Sequence, residues 1–501
     1  MAGLMEVIFS LVVGYGLWTI VPVLWRYYKF CKLIKPFKPL RKYHWFWGHL
    51  KFFSLSESII DRMASLMENA TGKMTIEWIS VIPNVQAIHP DTAAIILRSS
   101  EPKPKDRGEP YSLFTPFLGD GLVVSNGEKW ERNRKLLTPA FHFDVLRPYV
   151  NVYNEAADIL LDKLAEKMAE SPHSMDIMDT LNQVTLDVIL RCSLSYDGKI
   201  QKREKHPYIE AVHEMSRLTM ERIKKPWHFL WWNVYMMSNN GKEYMKHVNY
   251  MHRFADEIIA KRKKEIVDDP SLLQKKKKLD FLDIILSAKD ESGSGLTDQE
   301  IRDEVNTFMF AGHDTTKAVL GWAIYNMGKY PEEQEKLYQE VCDVTGDRTN
   351  IEWDDLGKLP KMSMFLKETL RLYPPAGSTT RLLTEDLEIE GVTLPAGSMI
   401  VVNFLAIHLR PDVFPNPKEF RPERFLTENT EKRHPYAYLP FSAGLRNCIG
   451  KNFSTNEQKV LLARILKRFR IVIEENHEVV PVPLLIIQAR DGIKVRFQER
   501  T

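Results

Sequence analysis

The chain has 501 residues, of which 44% are hydrophobic and 27% are charged, and its 69 basic and 66 acidic residues leave a formal net charge of +3. That near-balance argues against a nucleic-acid-binding protein, which needs a concentrated basic face. The four cysteines are far apart, at Cys31, Cys192, Cys342 and Cys448, which argues against a disulfide framework or a zinc cluster.

The N-terminal region begins with an uncharged run from Val7 to Trp25, close to the ~20 residues that a helix needs to cross a bilayer. Lysines and arginines cluster after the run, from Arg26 to Lys42, so the positive-inside rule places the remainder in the cytosol. A cleaved signal peptide, the alternative, would carry its basic residues first. We predict a membrane anchor over 1–28, a basic, proline-containing linker over 29–45 and one domain over 46–501.

Residue periodicity in the body predicts mostly helices with two small β regions, as one interlocked unit. The predicted helices are Glu128–Leu137, Val152–Ala169, His247–Val267, Thr297–Tyr330, Pro331 to about Val344, Pro360–Leu372 and Asn452–Phe469. The predicted strands are Thr75–Ile82, Ala87–Pro90, Leu387–Ile389, Val392–Leu394 and Met399–Asn403. Thr297 with Glu300 indicates a capping box, and Asp491–Gly492 indicates a hairpin turn.

The segment from Pro440 to Gly450 reads PFSAGLRNCIG. Two glycines close to Cys448 allow the backbone to approach a flat ligand, and Arg446 places a cation two residues before the sulfur. The helix predicted after it would put the thiol at a helix N-terminus, where its pKa falls. A lone cysteine is more often a buried apolar residue. This setting instead favours a thiolate held against a planar, acidic cofactor.

The same segment matches, at every fixed position, the haem-binding loop of the cytochrome P-450 superfamily. The resemblance implies that superfamily's fold, haem b as cofactor and Cys448 as the axial thiolate ligand of the iron, a ligand that favours O–O cleavage. Three stretches, 136–150, 306–316 and 438–453, resemble the fourth family, whose members often hydroxylate the terminal carbon of fatty acids. Many of them carry a Glu, ester-linked to the haem, where this chain has Ala311. We therefore predict haem without an ester bond and looser terminal-carbon selectivity.

The longest predicted helix contains Phe310–Thr316, FAGHDTT, which resembles the family's oxygen-activation motif. A glycine in a helix interior costs ~1 kcal/mol relative to alanine, so a kink with solvent-facing polar residues is one interpretation. In the other, Gly312 opens a groove for dioxygen, and Asp314 and Thr315 relay protons as the catalytic pair. We expect His313 to be a packed or surface residue.

Further charged residues resemble the family's structural and cofactor-holding positions. The resemblance implies that Glu368, Arg371 and Arg424 form a buried salt-bridge lock, whereas a surface pair at this spacing would contribute only ~0.2–0.5 kcal/mol. Haem carries two propionates, and the resemblance assigns their binding to Trp130, Arg134, Arg381 and Arg446, with Gly450 also at the cofactor. The alternative for Arg134 and Arg381 is an ordinary surface arginine.

The substrate pocket is expected by resemblance to be apolar, although residues of this kind are as often plain core. Its candidate lining residues are Phe114, Phe117, Phe310, Ala311, Gly377, Ser378 and Leu485.

No flavin or nicotinamide fingerprint is present, so the electrons must come from a separate protein. The resemblance implies NADPH–cytochrome reductase, with cytochrome b5 as a further candidate, at the endoplasmic reticulum membrane, with one span and a cytosolic catalytic domain. Lys129, Arg132 and Lys135 are hypothesised to form part of a basic docking patch.

The implied function is insertion of one oxygen atom from O2 into a C–H bond of a fatty acid or related lipid, at or near the terminal (ω) carbon. A xenobiotic or steroid-type hydroxylase of the same class is the alternative. More remote alternatives are a haem-thiolate isomerase or dehydratase and a haem sensor without turnover. The intact Asp314–Thr315 pair disfavours the isomerase.

Overall fold

The computed structural model describes residues 2–52, 56–170, 174–276, 278–475 and 477–500, and helices dominate them. In chain order the α-helices are α1 (Ala2–Leu33), α2 (Ile59–Glu68), α3 (Pro90–Arg98), α4 (Thr115–Leu118), α5 (Gly127–Leu137), α6 (Phe143–Leu146), α7 (Tyr149–Glu170), α8 (Met178–Leu194), α9 (Pro207–Ile223), α10 (Pro226–Leu230), α11 (Trp232–Met237), α12 (Asn239–Asp268), α13 (Leu272–Lys275), α14 (Phe281–Ser287), α15 (Asp298–Lys329), α16 (Pro331–Thr345), α17 (Pro360–Leu372), α18 (Phe404–His408), α19 (Thr427–Glu431) and α20 (Lys451–Arg468). Short 3₁₀ helices lie at His49–Phe52, Pro110–Leu113, Thr138–Phe141, Ile200–Lys202, Trp353–Lys358 and Pro422–Phe425. The predicted class, mainly α with small β regions, is confirmed.

The strands form small sheets beside the helices. They are β1 (Met74–Ile79), β2 (Ile82–Ala87), β3 (Met175–Asp176), β4 (Ser378–Leu382), β5 (Leu387–Ile389), β6 (Val392–Leu394), β7 (Met399–Asn403), β8 (Phe469–Ile473), β9 (Pro481–Pro483), β10 (Ile487–Ala489) and β11 (Lys494–Glu499). The largest described sheet has the order β1-β2-β7-β4, with β2 and β7 parallel and the other neighbours antiparallel. A three-stranded sheet has the order β3-β11-β8, and two further pairs join β5 with β6 and β9 with β10.

Helix α15 runs through the main hydrophobic core and is buried along most of its length. Its first turn is closed by the predicted capping box, in which the N–H of Glu300 donates to the hydroxyl of Thr297 and the N–H of Thr297 donates to Glu300. Helices α8, α12, α17 and α20 pack against it. Helix α20 begins just after Cys448, so this packing holds the preceding segment, Pro440–Gly450, close to the middle of α15. We call this segment the sulfur loop.

Most predicted helix boundaries lie close to the observed ones, and α17, β5, β6 and β7 span the predicted residues. Helix α12 begins eight residues before the predicted His247, and the predicted strand Thr75–Ile82 runs across the turn between β1 and β2. The strand predicted at Ala87–Pro90 is wrong, because Pro90 occupies the first turn of α3, a position that proline favours. At Asp491–Gly492 the chain does turn, with Gly492 at a φ of 74°. It forms no hairpin, since β10 pairs with β9 whereas β11 pairs with β8 and β3.

The apolar run Val7–Trp25 lies within α1, which continues to Leu33. The side chains of residues 1–10, 12–14, 16 and 17 lie outside the described part of the structure. Among the side chains that are described, no helix combines the length and the apolar character needed to cross a bilayer. After α1, Ile34 and Phe37 are buried in the core beneath the largest sheet, so the middle of the predicted linker packs against the body.

Candidate active site

The loop around Cys448 is held by backbone contacts on both sides. The N–H of Cys448 donates to the carbonyl of Phe441 at 2.9 Å. Gly444 adopts a φ of +72°, and a Cβ there would overlap the carbonyl oxygen of Leu97, so only glycine fits. Gly450 differs, because its φ is negative and a Cβ built on it would meet no protein atom within 4 Å. The loop therefore packs on the protein at Gly444 and is open at Gly450.

The thiol of Cys448 lies at the N-terminus of α20, as predicted, but its pKa does not fall. Burial raises the pKa of the Cys448 thiol more than the backbone N–H groups of Gly450 and Lys451 and the positive charge of Arg134 lower it. The residue still keeps an exposed surface, although protein surrounds the sulfur on the helix side. This arrangement supplies N–H donors and a cation that would stabilise a thiolate once the proton is displaced by a metal.

Three buried or partly buried cations, Lys103, Arg381 and Arg446, lie close together beside this loop; we call them the cation cluster. Among the described residues, none of the three forms an ion pair with a carboxylate, and the Nε atoms of Arg381 and Arg446 are buried without a hydrogen-bond partner. Burial and then the charge of Arg381 lower the pKa of Arg446 to about 10. Burial, with both arginines contributing, lowers the pKa of Lys103 to about 8.

The cation cluster is fixed by neighbours on several segments. The guanidinium of Arg446 lies 4.6 Å from the ring centre of Trp130 and donates to Asn126 Oδ1 at 2.9 Å. The same Asn126 oxygen accepts from the backbone N–H of Lys103 at 2.8 Å. Lys103 escaped the sequence reasoning, and the only available signal was a lysine enclosed by Pro102 and Pro104.

The other arginines predicted at the cofactor are placed differently. Arg134 donates to the backbone and side-chain oxygens of Asn447 at 3.0 and 2.9 Å, and so ties α5 to the sulfur loop. Arg381, almost fully buried, donates from Nη1 to Thr379 Oγ1 at 2.9 Å and to the carbonyl of Thr380 at 3.1 Å. Arg381 is therefore not the surface residue that the alternative interpretation proposed.

These residues fit haem, a planar cofactor with two carboxylates. The cation cluster contains buried donors that lack partners, which propionates would satisfy. The sulfur of Cys448 and the open face of Gly450 lie on the same loop. The donor set and the open glycine therefore suit a flat dianion bound through sulfur.

On α15, Asp314 and Thr315 both have partners. The carboxylate of Asp314 accepts from Lys317 Nζ at 2.5 Å, and both side chains are less than 10% exposed. The hydroxyl of Thr315 donates to the carbonyl of Ala311 at 2.7 Å. Lys317 is the second residue that the sequence reasoning missed, although a charge three residues from Asp314 in an apolar helix was a visible signal.

Gly312 has a packing role that the sequence did not indicate. A Cβ on Gly312 would lie 2.6 Å from Cδ1 of Ile189 on α8, so the missing side chain allows close helix packing. The dioxygen groove at Gly312 stays a prediction. His313 is fully buried, which agrees with a packed histidine. Burial lowers the pKa of His313 to about 4, so the ring is neutral.

Glu368, Arg371 and Arg424 form a buried ion-pair group, which we call the lock. Arg371 donates to both carboxylate oxygens of Glu368, at 2.7 and 2.9 Å, and Arg424 donates to one of them at 3.2 Å. The lock is joined to the sulfur loop by His408, which contacts the carbonyl of Arg371 at 3.1 Å and accepts from the N–H of Leu439 at 2.8 Å. Nothing in the sequence pattern singled out His408.

The predicted pocket residues fall into two groups. Phe114, Phe117 and Phe310 form a chain of ring contacts, with Phe117 and Phe310 edge-to-face at 5.1 Å. Gly377 lies beside Ile487 of β10, and a Cβ there would be 3.6 Å from that side chain. Leu485 lies between β9 and β10, while Ser378 is exposed and Ala311 is partly buried.

The three cations proposed as a docking patch are paired inside the chain. Lys129 contacts Asp120 at 3.0 Å, Arg132 contacts Glu300, and Lys135 contacts Glu291. These ion pairs reduce the positive charge that α5 offers to a partner, and the hypothesis that the three cations form part of a basic docking patch stays a prediction. Lys367 and Lys451, by contrast, form no ion pair among the described residues, and their mutual charge contributes, after burial, to lowering the pKa of Lys367.

Comparison with known proteins gives a consistent result. A family model described as Cytochrome P450 matches residues 38–497. Cytochrome P450 4F6 of Rattus norvegicus is 37% identical over 97% of this chain and 92% of its own length. A Homo sapiens protein named Ultra-long-chain fatty acid omega-hydroxylase is 36% identical over 94% and 90% of the two lengths. The crystal structure of cytochrome P450DA heme domain superposes with a TM-score of 0.80 at 25% identity, covering 93% of this chain and 98% of that one.

Proposed function

The chain belongs to the cytochrome P450 family and is a monooxygenase of lipids, and from that premise we propose that it hydroxylates fatty acids at or near the terminal carbon. The observation that carries this proposal is the joint placement of Cys448, at the N-terminus of α20, and a cation cluster that lacks carboxylates. Two of the most similar relatives carry fourth-family names, and another is named for ω-hydroxylation.

When bound, the haem supplies an iron atom at which dioxygen is activated. In the proposed arrangement the Cys448 sulfur would bind the iron, and Lys103, Arg381, Arg446 and Trp130 would hold the propionates. The buried, partnerless Nε atoms of Arg381 and Arg446 support this assignment. The helix position that would carry an ester-forming Glu is Ala311, which has no carboxylate, so we propose that the haem is held without an ester bond.

We assign proton delivery to Asp314 and Thr315. The Thr315 hydroxyl donates to the Ala311 carbonyl on the preceding turn, which sets its orientation. The hydroxyl oxygen can still accept a proton as it gives up its own. Asp314 is the adjacent acid, buried and held by an ammonium group. A carboxylate in this position can take up a proton and pass it on to Thr315, which suits the protonation of bound oxygen.

The substrate wall supports a lipid. Phe114, Phe117 and Phe310 present a continuous aromatic surface of tilted and edge-to-face rings without a charged group among them. An apolar wall of this kind favours a long hydrocarbon chain. A xenobiotic or steroid-type substrate of similar polarity is the second candidate, because aromatic contacts alone do not distinguish a flexible chain from a rigid ring.

We propose that the chain is anchored in the endoplasmic reticulum membrane by its N-terminal segment, with the catalytic domain in the cytosol. Exposed aromatic residues support a membrane-facing surface, since Trp and Tyr are enriched at bilayer interfaces. Exposed aromatic residues that follow α1 include Tyr43, Trp45, Phe46, Trp227 and Trp231. The ring centres of Trp47 and Trp227 lie 6.1 Å apart, so the segment after α1 packs against α10.

Electrons reach the site from a separate protein, for which we propose NADPH–cytochrome reductase, with cytochrome b5 as a further candidate. Because each of the three α5 cations already pairs with an acid of this chain, other charges would also contribute to docking. Lys367 and Lys451 lie near the sulfur loop without an ion-pair partner in the described residues, and they suit an acidic partner.

The test is product analysis by mass spectrometry after the full-length enzyme, reconstituted with reductase and NADPH, is incubated with fatty acids of increasing chain length. We expect hydroxylated product at the terminal or neighbouring carbon, formed in proportion to NADPH consumed. Oxidation of steroids or drugs with no fatty-acid product would contradict the lipid assignment. Rearrangement of lipid peroxides without NADPH would instead indicate the isomerase class.

A further inference from the structure

Lys317 lies one helical turn after Asp314 on α15, within the buried part of that helix. Its Nζ is 2.5 Å from Asp314 Oδ1, and the two side chains are only 7% and 5% exposed. A buried charge is costly unless it is paired, and removing one partner of such a pair leaves the other uncompensated. The lysine therefore determines where the Asp314 carboxylate lies.

The same ammonium group reaches a second element. Lys317 Nζ contacts Gln488 Oε1 at 3.4 Å, and Gln488 belongs to β10. The neighbouring residue Ile487 packs beside Gly377, and Leu485 lies in the turn between β9 and β10. Both Gly377 and Leu485 are candidate substrate-wall residues, so one lysine touches the acid on α15 and the strand pair that carries part of that wall.

We propose that Lys317 is a positioning residue that fixes the carboxylate of Asp314 next to Thr315 and links that position to the β9–β10 strand pair. An ammonium group has three N–H donors and can hold both partners at once. The proposal rests on the proposed function, because it concerns the acid that delivers protons there. It adds that Lys317 connects Asp314 to the β9–β10 strand pair, so a displacement of the strand pair changes the position of the Asp314 carboxylate.

A purely structural role is the competing explanation. In that case Lys317 would compensate the charge of Asp314, and its loss would lower stability and haem content without changing how well NADPH oxidation is coupled to product. A positioning role makes a different demand. The fraction of consumed NADPH that appears as hydroxylated product must fall even in molecules that keep their haem.

The experiment compares Lys317→Met and Lys317→Arg in the full-length holoenzyme, with Lys329→Met, an exposed lysine on the same helix, as the matched control. Product per NADPH is measured at equal haem content, as given by the carbon-monoxide spectrum. We expect Lys317→Met to lower this ratio about fivefold or more, because a misplaced acid protonates oxygen poorly, and Lys317→Arg to restore at least half of it. An unchanged ratio in Lys317→Met would overturn the proposal.

A double-variant cycle separates action through Asp314 from an independent effect. If Lys317 acts through the acid, Lys317→Met should have no further effect on the ratio in an Asp314→Asn background. Effects that multiply independently would contradict the positioning role.

Hydrogen exchange gives a readout that needs no turnover. In Lys317→Met and in Gln488→Ala the amides of 481–489 should exchange faster than in the parent enzyme, whereas Lys329→Met should leave them unchanged. Equal exchange in all variants would reject the link to β9–β10. This readout remains interpretable if the parent enzyme yields no oxidised lipid, a result that would overturn the proposed function alone.

Discussion

The lock and the cation cluster each contain two arginines near the sulfur loop, and they differ in the partners of those arginines. In the lock, the Glu368 carboxylate lies between two guanidinium groups and accepts from both of them. In the cation cluster no carboxylate is present among the described residues, and the Nε atoms of Arg381 and Arg446 have no partner. Buried polar groups are normally satisfied, so a cluster of cations without carboxylate partners is a candidate binding site. We therefore propose that the lock is architecture and that the cation cluster binds a ligand.

The largest effect should come from the lock. Glu368→Gln leaves two buried guanidinium groups without their shared counter-charge, which we expect to lower the free energy of unfolding by about 3–5 kcal/mol. Urea unfolding followed by circular dichroism measures this loss.

The control for that variant is Glu333→Gln. Glu333 pairs with Lys336 at the same spacing of three residues, but on the surface, where an ion pair contributes less than about 1 kcal/mol. Comparable losses in Glu333→Gln and Glu368→Gln would show that burial does not distinguish the lock.

The second effect contrasts two buried arginines. Arg371→Met should destabilise the haem-free protein, whereas Arg381→Met should not, because Arg381 has no carboxylate partner to leave behind. Arg381→Met should instead weaken haem binding by about 10–100-fold, the loss of a charge-assisted hydrogen bond of about 1.5–3 kcal/mol. The rate of haem transfer to a scavenging protein measures it. Equal haem retention in Arg381→Met and the parent would exclude Arg381 from the propionate site.

The smallest effect concerns pH. Burial and the neighbouring arginines lower the pKa of Lys103 to about 8, below its value of about 10.4 in the unfolded chain. Stability contributed by a group of this kind is present above the unfolded pKa and is lost as the pH falls through the folded pKa. The haem-free protein should therefore become more stable as the pH rises from 8 to 10.5, by about 1–2 kcal/mol for a partly exposed side chain.

Unfolding free energies of the haem-free parent and of Lys103→Met across that pH range measure the difference. Lys103→Met should not show the increase in unfolding free energy between pH 8 and 10.5. With haem bound, the propionates should raise the pKa of Lys103 and remove the gain in the parent as well. A gain that persists in Lys103→Met would assign the pH dependence to other groups.

Local patterns predicted much of this structure. The helix at Pro360–Leu372 and the three strands that follow it were recoverable because proline, turn residues and alternating apolar residues mark their ends. The family was recoverable because the glycine, arginine and cysteine spacing of the loop around Cys448 is specific, and the match to the family model confirms the family.

What could not be predicted depends on contacts between distant segments. The pKa of Cys448 depends on burial by the folded chain, which outweighs the helix N-terminus that is visible in the sequence. Lys103 approaches Arg446 only after folding, and Gly312 faces Ile189 because α8 and α15 pack closely. The α5 cations were assigned to a partner because their acids, Asp120, Glu291 and Glu300, lie elsewhere in the chain.

The most direct test of the account is the carbon-monoxide difference spectrum of the reduced, full-length protein, recorded for the parent and for Cys448→Ala. The parent should show the red-shifted band of a thiolate-bound haem, and Cys448→Ala should lose it, with Cys192→Ala as a control that keeps it. A thiolate band that persists in Cys448→Ala, or a parent that binds no haem, would contradict the assignment of Cys448 as the iron ligand.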